Sequence, residues 1–199
     1  RFTVGSTIGG SDRVKLLEPG TEDEVPDGVI GELCFKGPSV IEGYYREPEI
    51  NAAAFTSDGY LRSGDLGIAS TIGGRRCFSI AGRLKDQISR GGEKFMAAEL
   101  EMLLLDHPAV VDVAAVGVSD ARLGERVGVC VVVTEEARGR DPEQLRRQLV
   151  EYLDRRQVAK FKWPEHLLVL DQLPRTAINK VKKNELRALL EGTDDHQTR

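Results

Sequence analysis

The apolar positions of this chain change their period near residue 97, which divides the molecule into two kinds of structure. Up to residue 82 they come in short runs broken by turn residues: Arg13-Val14-Lys15-Leu16-Leu17 before Pro19-Gly20, and Gly31-Glu32-Leu33-Cys34-Phe35-Lys36 before Gly37-Pro38. Such runs, bounded by Gly and Pro, are strand signals, so this half reads as mainly β. A helix is expected at residues 47–55, where Pro48 suits a first helical turn, and Gly73-Gly74 is expected to close a hairpin between residues 66–71 and 75–81.

From Ala97 the spacing becomes helical, with Leu100, Leu103, Leu104 and His107 recurring until Pro108, and two β-branched runs follow at 110–118 and 126–134. Asp141-Pro142 has the form of an N-cap followed by proline at the first helical position, and Leu145, Leu149, Tyr152 and Leu153 fall on one face of the helix it opens. A strand at 166–170 and a helix at 182–190 complete this half, and the polar stretch from Gly192 is expected to fray. The chain is therefore expected to be α+β: a β-rich piece over 1–83, then an α+β domain over 84–199 whose short antiparallel sheet is flanked by helices.

Charge narrows the function classes. The 199 residues carry 28 Lys+Arg against 32 Asp+Glu, a net charge of −4, so there is no basic field of the kind that binds nucleic acid or a membrane surface. The longest apolar run, residues 127–133, is far short of the ~20 residues a membrane helix needs. Arg1-Phe2-Thr3-Val4-Gly5-Ser6 lacks an initiating methionine and a signal-peptide core, which suggests a processed or truncated chain. Cys34, Cys77 and Cys130 lie among apolar or strand-like neighbours without ligand spacing, so buried free thiols in a reducing, cytoplasmic setting are expected, with no zinc site and no disulfide.

Four segments can carry chemistry. In Tyr60-Leu61-Arg62-Ser63-Gly64-Asp65-Leu66, Asp65 fits two roles: an Asx-type turn ahead of a strand, or a carboxylate offering two oxygens to a vicinal diol such as a ribose. The stretch Gly82-Arg83-Leu84-Lys85-Asp86-Gln87-Ile88-Ser89-Arg90-Gly91-Gly92-Glu93-Lys94 reads as a solvated hairpin, or as one whose Gly91-Gly92 lets a ligand approach the backbone. It is no nucleotide P-loop, because GxxxxGK[ST] is absent. Leu173-Pro174-Arg175-Thr176-Ala177-Ile178-Asn179-Lys180-Val181 carries a loop lysine, either solvated or able to meet a phosphate or carboxylate. Gly43-Tyr44-Tyr45 fits a β-core, or rings packed beneath a site. His107, His166 and His196 share no metal or triad spacing and receive no chemistry; Arg75-Arg76 and Arg146-Arg147 read as solvated face charges, the second pair also suited to an acidic partner.

Taken together, the order Gly-Tyr-Tyr, then a variant of Tyr-Arg-Thr-Gly-Asp-Leu, then Gly-Arg-x-Lys-Asp-Gln-Ile-x-Arg-Gly-Gly-Glu-Lys, Phe-Lys-x-Pro and Pro-Arg-Thr-x-x-x-Lys resembles the adenylate-forming superfamily: acyl- and aryl-CoA synthetases, nonribosomal adenylation domains and luciferases. The resemblance covers about residues 13–190, and residues 85–94 followed by Ala97-Ala98-Glu99-Leu100-Glu101 are most similar to the aryl-acid AMP ligases, such as those for 2,3-dihydroxybenzoate or salicylate.

The resemblance implies a two-step ligase. A carboxylic acid attacks ATP, with Mg2+, to give an acyl-adenylate; the thiol of CoA or of a phosphopantetheinyl carrier protein then displaces AMP. It implies that Asp65 and Arg83 hold the ribose hydroxyls, that Lys180 is catalytic in adenylation, that Lys85 is the hinge of a small mobile domain, and that Gly91 and Gly92 border the pantetheine tunnel. Ser63 stands where the family has Thr, and Asn179 where it has Gly. The phosphate-binding loop and acid pocket are not found in the chain, so residues 1–83 are expected to be the last subdomain of a large domain that mostly precedes Arg1 and supplies most of the Mg2+ contacts, leaving the chain inactive alone. One chain of a split ligase, or a non-catalytic adenylate- or carrier-binding module, are the alternative readings.

Overall fold

The contact pattern divides the chain after Lys85 into two units, Arg1–Lys85 and Asp86–Arg199. A computed structural model describes Gly5 and residues 13–194, with side chains through Gly192, so His196 lies outside the described residues.

In the first unit, β1 (Arg13–Leu17), β2 (Ile30–Lys36), β3 (Leu61–Ile72) and β4 (Arg75–Arg83) form an antiparallel meander in that order, and helix α1 (Pro48–Ala54) lies between β2 and β3 in sequence. Leu16, Leu33, Ala69 and Phe78, one from each strand, turn to one shared core, with Val14, Val25 and Phe35 packed against it. Strand β3 starts at Leu61 rather than at residue 66, because Leu61 and Arg62 pair with Phe35 and Cys34 beyond a register shift between Glu32 and Cys34. Asp65 therefore lies within a strand and not in a turn ahead of one.

The second unit contains β5 (Gln87–Arg90), β6 (Glu93–Met96), α2 (Ala97–Leu105), β7 (Val110–Asp120), β8 (Gly124–Val133), α3 (Pro142–Arg155), β9 (His166–Val169) and α4 (Lys183–Asp194). The sheet order is β6-β5-β8-β7, with β9 also on β8. All pairs are antiparallel except β8 with β9, where the expected antiparallel sheet gains a parallel member. The cause is the α3 crossover: a helix between two strands returns the chain to its starting end, so the next strand runs the same way.

β7 and β8 read as nearly continuous apolar runs because both of their faces are covered. Val113, Ala115, Val127, Val129, Val131 and Val133 share a core with Leu100 and Leu104 of α2 and Leu145, Leu149 and Leu153 of α3. The alternate residues Ala114, Val116, Val118 and Cys130 meet Leu186 and Leu190 of α4. Helix α3 opens as its sequence requires: the Gln144 amide donates to Asp141 Oδ2 at 2.9 Å, and Pro142 occupies the first turn. Helix α4 continues to Asp194, past the point where fraying was expected. No helix among the described residues is long and apolar enough to cross a membrane.

Candidate active site

Asp65 and Arg83 face each other as register partners on β3 and β4, with Arg83 Nε 3.1 Å from Asp65 Oδ1. The carboxylate is about a third exposed, so one edge is paired while the other remains open to a ligand. What fixes it lies beneath: the Asp65 amide donates to Ser63 Oγ (3.0 Å), and the Gly64 amide donates to Glu32 Oε1 (3.1 Å). Gly64 has a φ of +70°, a left-handed bend that a side chain would strain. Glu32, 3% exposed, also accepts from Arg62 Nη1 at 2.9 Å, and Arg62 Nη2 donates to the Thr21 carbonyl at 2.6 Å. Glu32 and Arg62 were not singled out by the sequence reading; the available signal was a lone carboxylate inside the apolar strand Ile30–Lys36. Lys85 is exposed, in a one-turn 3-10 segment at the end of this unit.

In the second unit, β5 and β6 form a two-residue hairpin with Arg90 opposite Glu93. Gly91 and Gly92 have φ values of +60° and +90°, the doubly left-handed turn that matches strand twist and that glycine adopts without strain. No side chain covers Gly92, and the Gly91 amide donates to the Leu123 carbonyl at 2.8 Å.

An ion network anchors the base of this hairpin. Arg90 makes a two-pronged contact with Glu165 (2.6 and 3.1 Å), Glu165 also accepts from Arg126 Nη1 (3.1 Å), and Arg126 Nε pairs with Asp120. Burial alone would raise the Glu165 carboxyl, but the Arg90 bond and charge, with Arg126, outweigh it and hold it below the usual range. The bond from Arg126, followed by the backbone amides of Leu123 and Arg122, holds Asp120 down to about 2.

Lys180 lies on a second hairpin. The Asn179 amide donates to the Thr176 carbonyl (2.9 Å) and the Thr176 amide to the Lys180 carbonyl (2.8 Å), with Arg175 bridged to Val181. This is a type I turn followed by one left-handed residue, and Asn179 takes that place at φ +62°. Asn tolerates this region better than most side chains, so it adopts the left-handed conformation here despite its Cβ. The Lys180 amide donates to Thr176 Oγ1 (3.1 Å), while its side chain is exposed and its ammonium has no ion pair or hydrogen bond among the described residues.

The structure thus brings Asp65 to Arg83 in one unit, and holds Gly91-Gly92 and Lys180 on separate hairpins of the other. Other candidates resolve differently. Tyr44 and Tyr45 are 47% and 82% exposed, so Gly43-Tyr44-Tyr45 supplies no β-core; its backbone is instead held by Asn51 at 2.7 and 2.9 Å. Arg146 is not a purely solvated charge, since it pairs with Glu143 and donates to the Pro164 carbonyl at 3.0 Å. Cys34, Cys77 and Cys130 are free thiols, the first and third buried. Among the described residues no three His, Cys, Asp or Glu side chains converge as a protein-built metal cage would require.

Residues 99–180 match the AMP-binding enzyme C-terminal domain family. The chain is 40% identical over 193 residues to a Streptomyces salicylyl-CoA synthase / salicylate adenylyltransferase, covering 97% of this chain and 33% of that protein. It is likewise 40% identical over 163 residues to a medium-chain fatty-acid–CoA ligase of Escherichia coli K12, covering 82% of this chain and 28% of that one. A crystal structure of ATP-bound MatB from Rhodopseudomonas palustris superimposes with a TM-score of 0.80 at 35% identity, covering 95% of this chain and 36% of the other. The chain therefore spans about a third of the length of the curated relatives it matches. Motifs, fold and relatives agree that the chain belongs to the adenylate-forming superfamily and represents its C-terminal region.

Proposed function

We propose that the chain is the C-terminal part of an ATP-dependent carboxylic acid ligase that forms an acyl-adenylate and passes the acyl group to the thiol of CoA or of a phosphopantetheinyl carrier protein. The observation that carries this reading is Lys180: an exposed ammonium with no partner among the described residues, on a hairpin whose backbone is hydrogen-bonded from both sides. Such a group is already placed and has no bond to give up when negative charge builds on a reacting phosphate.

In the first half-reaction a carboxylate oxygen bonds to the α-phosphorus of ATP, the bond to the bridging oxygen breaks, and pyrophosphate leaves with the electron pair. Lys180 stabilises the charge on the carboxylate and α-phosphate as they meet. Asp65 accepts hydrogen bonds from the ribose hydroxyls through its open edge, with Arg83 holding its orientation. In the second half-reaction the thiol sulfur bonds to the acyl carbon, the carbon–oxygen bond to AMP breaks, and the thiol proton passes to solvent. The bare Gly91-Gly92 turn leaves room for the pantetheine arm, and Lys85 is the pivot between the two steps.

Within this class we favour an aryl acid. The Lys85-to-Lys94 motif and the salicylate relative, 40% identical over 97% of the chain, support that choice. The test is ATP–pyrophosphate exchange with a panel of aryl and alkyl acids, on this chain joined to an upstream segment of the kind its relatives carry. Exchange with aryl acids is expected; preference for alkyl acids would contradict the aryl reading, and silence with every acid would contradict the ligase reading.

A further inference from the structure

The Lys180 hairpin rests on a side-chain bridge that no motif predicts. Arg175 reaches in two directions: Nη1 donates to the Asn179 carbonyl at 3.0 Å, and Nη2 donates to Asp112 Oδ2 at 2.6 Å. Asp112 sits near the start of β7, where its other oxygen accepts the Val113 amide at 3.0 Å. A planar guanidinium thus ties the left-handed residue of a loop to a strand of the central sheet, about two-thirds sheltered at both ends (34% and 31% exposed).

The bridge matters because of what occupies position 179. A glycine there would adopt φ +62° without strain, whereas Asn pays for its Cβ and can relax toward negative φ. That relaxation would rotate the 179–180 peptide and re-aim the Lys180 side chain. The carbonyl that Arg175 grips belongs to that same peptide. A shift of about 1 Å in such a group is enough to cost a catalytic step two orders of magnitude.

We infer that Arg175 and Asp112 are positioning residues: together they clamp the Asn179 carbonyl and hold the Lys180 ammonium in its presented direction. The inference rests on the role proposed above for Lys180, but the clamp itself can be tested without any activity.

The first arm follows amide hydrogen exchange by NMR in this chain, comparing the wild type with Arg175→Lys and Asp112→Asn. Lysine keeps the charge but cannot bridge two acceptors with a planar fork, and asparagine keeps the shape of Asp112 without its charge. Exchange at Thr176, Asn179 and Lys180 is expected to accelerate at least tenfold in both variants, with Val129 and Val131 of β8 unchanged. Adding Asn179→Gly to Arg175→Lys is expected to recover part of the protection. Unchanged hairpin exchange, or equal acceleration in β8, would overturn the clamp.

The second arm measures pyrophosphate exchange in the ligase containing this region. Both variants should lose about tenfold in kcat, keep KM for ATP within twofold, and transfer preformed adenylate to thiol at the wild-type rate. Accelerated amide exchange with unimpaired kcat would overturn the positioning role. If the wild type itself shows no pyrophosphate exchange, it is the function proposed for Lys180 that fails, and the first arm still decides the clamp.

Discussion

Replacing Glu32 by Gln should loosen the first unit and leave the second untouched. The Glu32 carboxylate is 3% exposed and serves two donors, Arg62 Nη1 and the Gly64 amide. Glutamine keeps an oxygen for Gly64 but offers Arg62 no charge, and removing one partner of a buried ion pair costs about 3–5 kcal/mol when nothing else serves the remaining charge. Arg62 retains its bond to the Thr21 carbonyl and is itself 19% exposed, which moves the expected loss to the bottom of that range or just below it. A loss of about 2–3 kcal/mol corresponds to a roughly 30- to 140-fold rise in the open population, at tenfold per 1.4 kcal/mol.

The protein carries its own reporters for this. Cys34 is buried on β2 of the first unit and Cys130 on β8 of the second, and burial pushes their thiols up to about 11 and about 12, so neither reacts while folded. In a Cys77→Ser background, which removes the partly exposed thiol, Glu32→Gln should accelerate trapping of Cys34 by that factor and leave Cys130 unaffected. A Cys34 rate within twofold of wild type would refute the reasoning, and so would equal acceleration at Cys130.

Other expectations follow from the same structure. Gly91→Trp forces a side chain into a φ of +60°, where its Cβ meets Leu123 Cδ2 at 3.5 Å; it should suppress transfer to thiol at least tenfold while pyrophosphate exchange stays within threefold, and intact thioester formation would remove the tunnel role. Asp120, held at about 2 in the folded state against an ordinary 3.8, contributes stability that is complete above the ordinary value and is lost as pH falls through 2. Acid unfolding of the second unit should therefore steepen between those two values, and Asp120→Asn should flatten that part of the curve; an unchanged curve would show that the Arg126 pair does not matter. Asp141→Ala removes the acceptor for the Gln144 amide and should cost about 1 kcal/mol, read as roughly fivefold faster Cys130 trapping.

What the sequence revealed and what it hid have separate physical causes. The strands β7 and β8, the cap at Asp141-Pro142 and the turn at Gly91-Gly92 were legible because each depends on neighbours within a few residues: β-branched runs, an N-cap oxygen three residues from its amide, two adjacent glycines. Motif order singled out Asp65 and Lys180 as candidates, but not the groups that hold them in place. Glu32 lies 32 residues from the Gly64 amide it accepts, and Asp112 lies 63 from Arg175. The Arg90–Glu165 pair spans 75 residues, and no local period records such pairings. The parallel placement of β9 was equally invisible, since a four-residue apolar strand carries no mark of the direction in which it pairs. Tyr44 and Tyr45 misled for the converse reason: an aromatic pair in a β-rich stretch suggests a core, yet both rings are exposed.

The measurement that bears most directly on the account separates the two half-reactions at Lys180. In this chain joined to an upstream segment of the kind its relatives carry, Lys180→Ala should lower ATP–pyrophosphate exchange by at least a hundredfold, while transfer from preformed acyl-adenylate to thiol stays within threefold of wild type, if the ammonium acts, as proposed, where charge builds on the α-phosphate. Equal loss in both half-reactions, or undiminished pyrophosphate exchange, would contradict it.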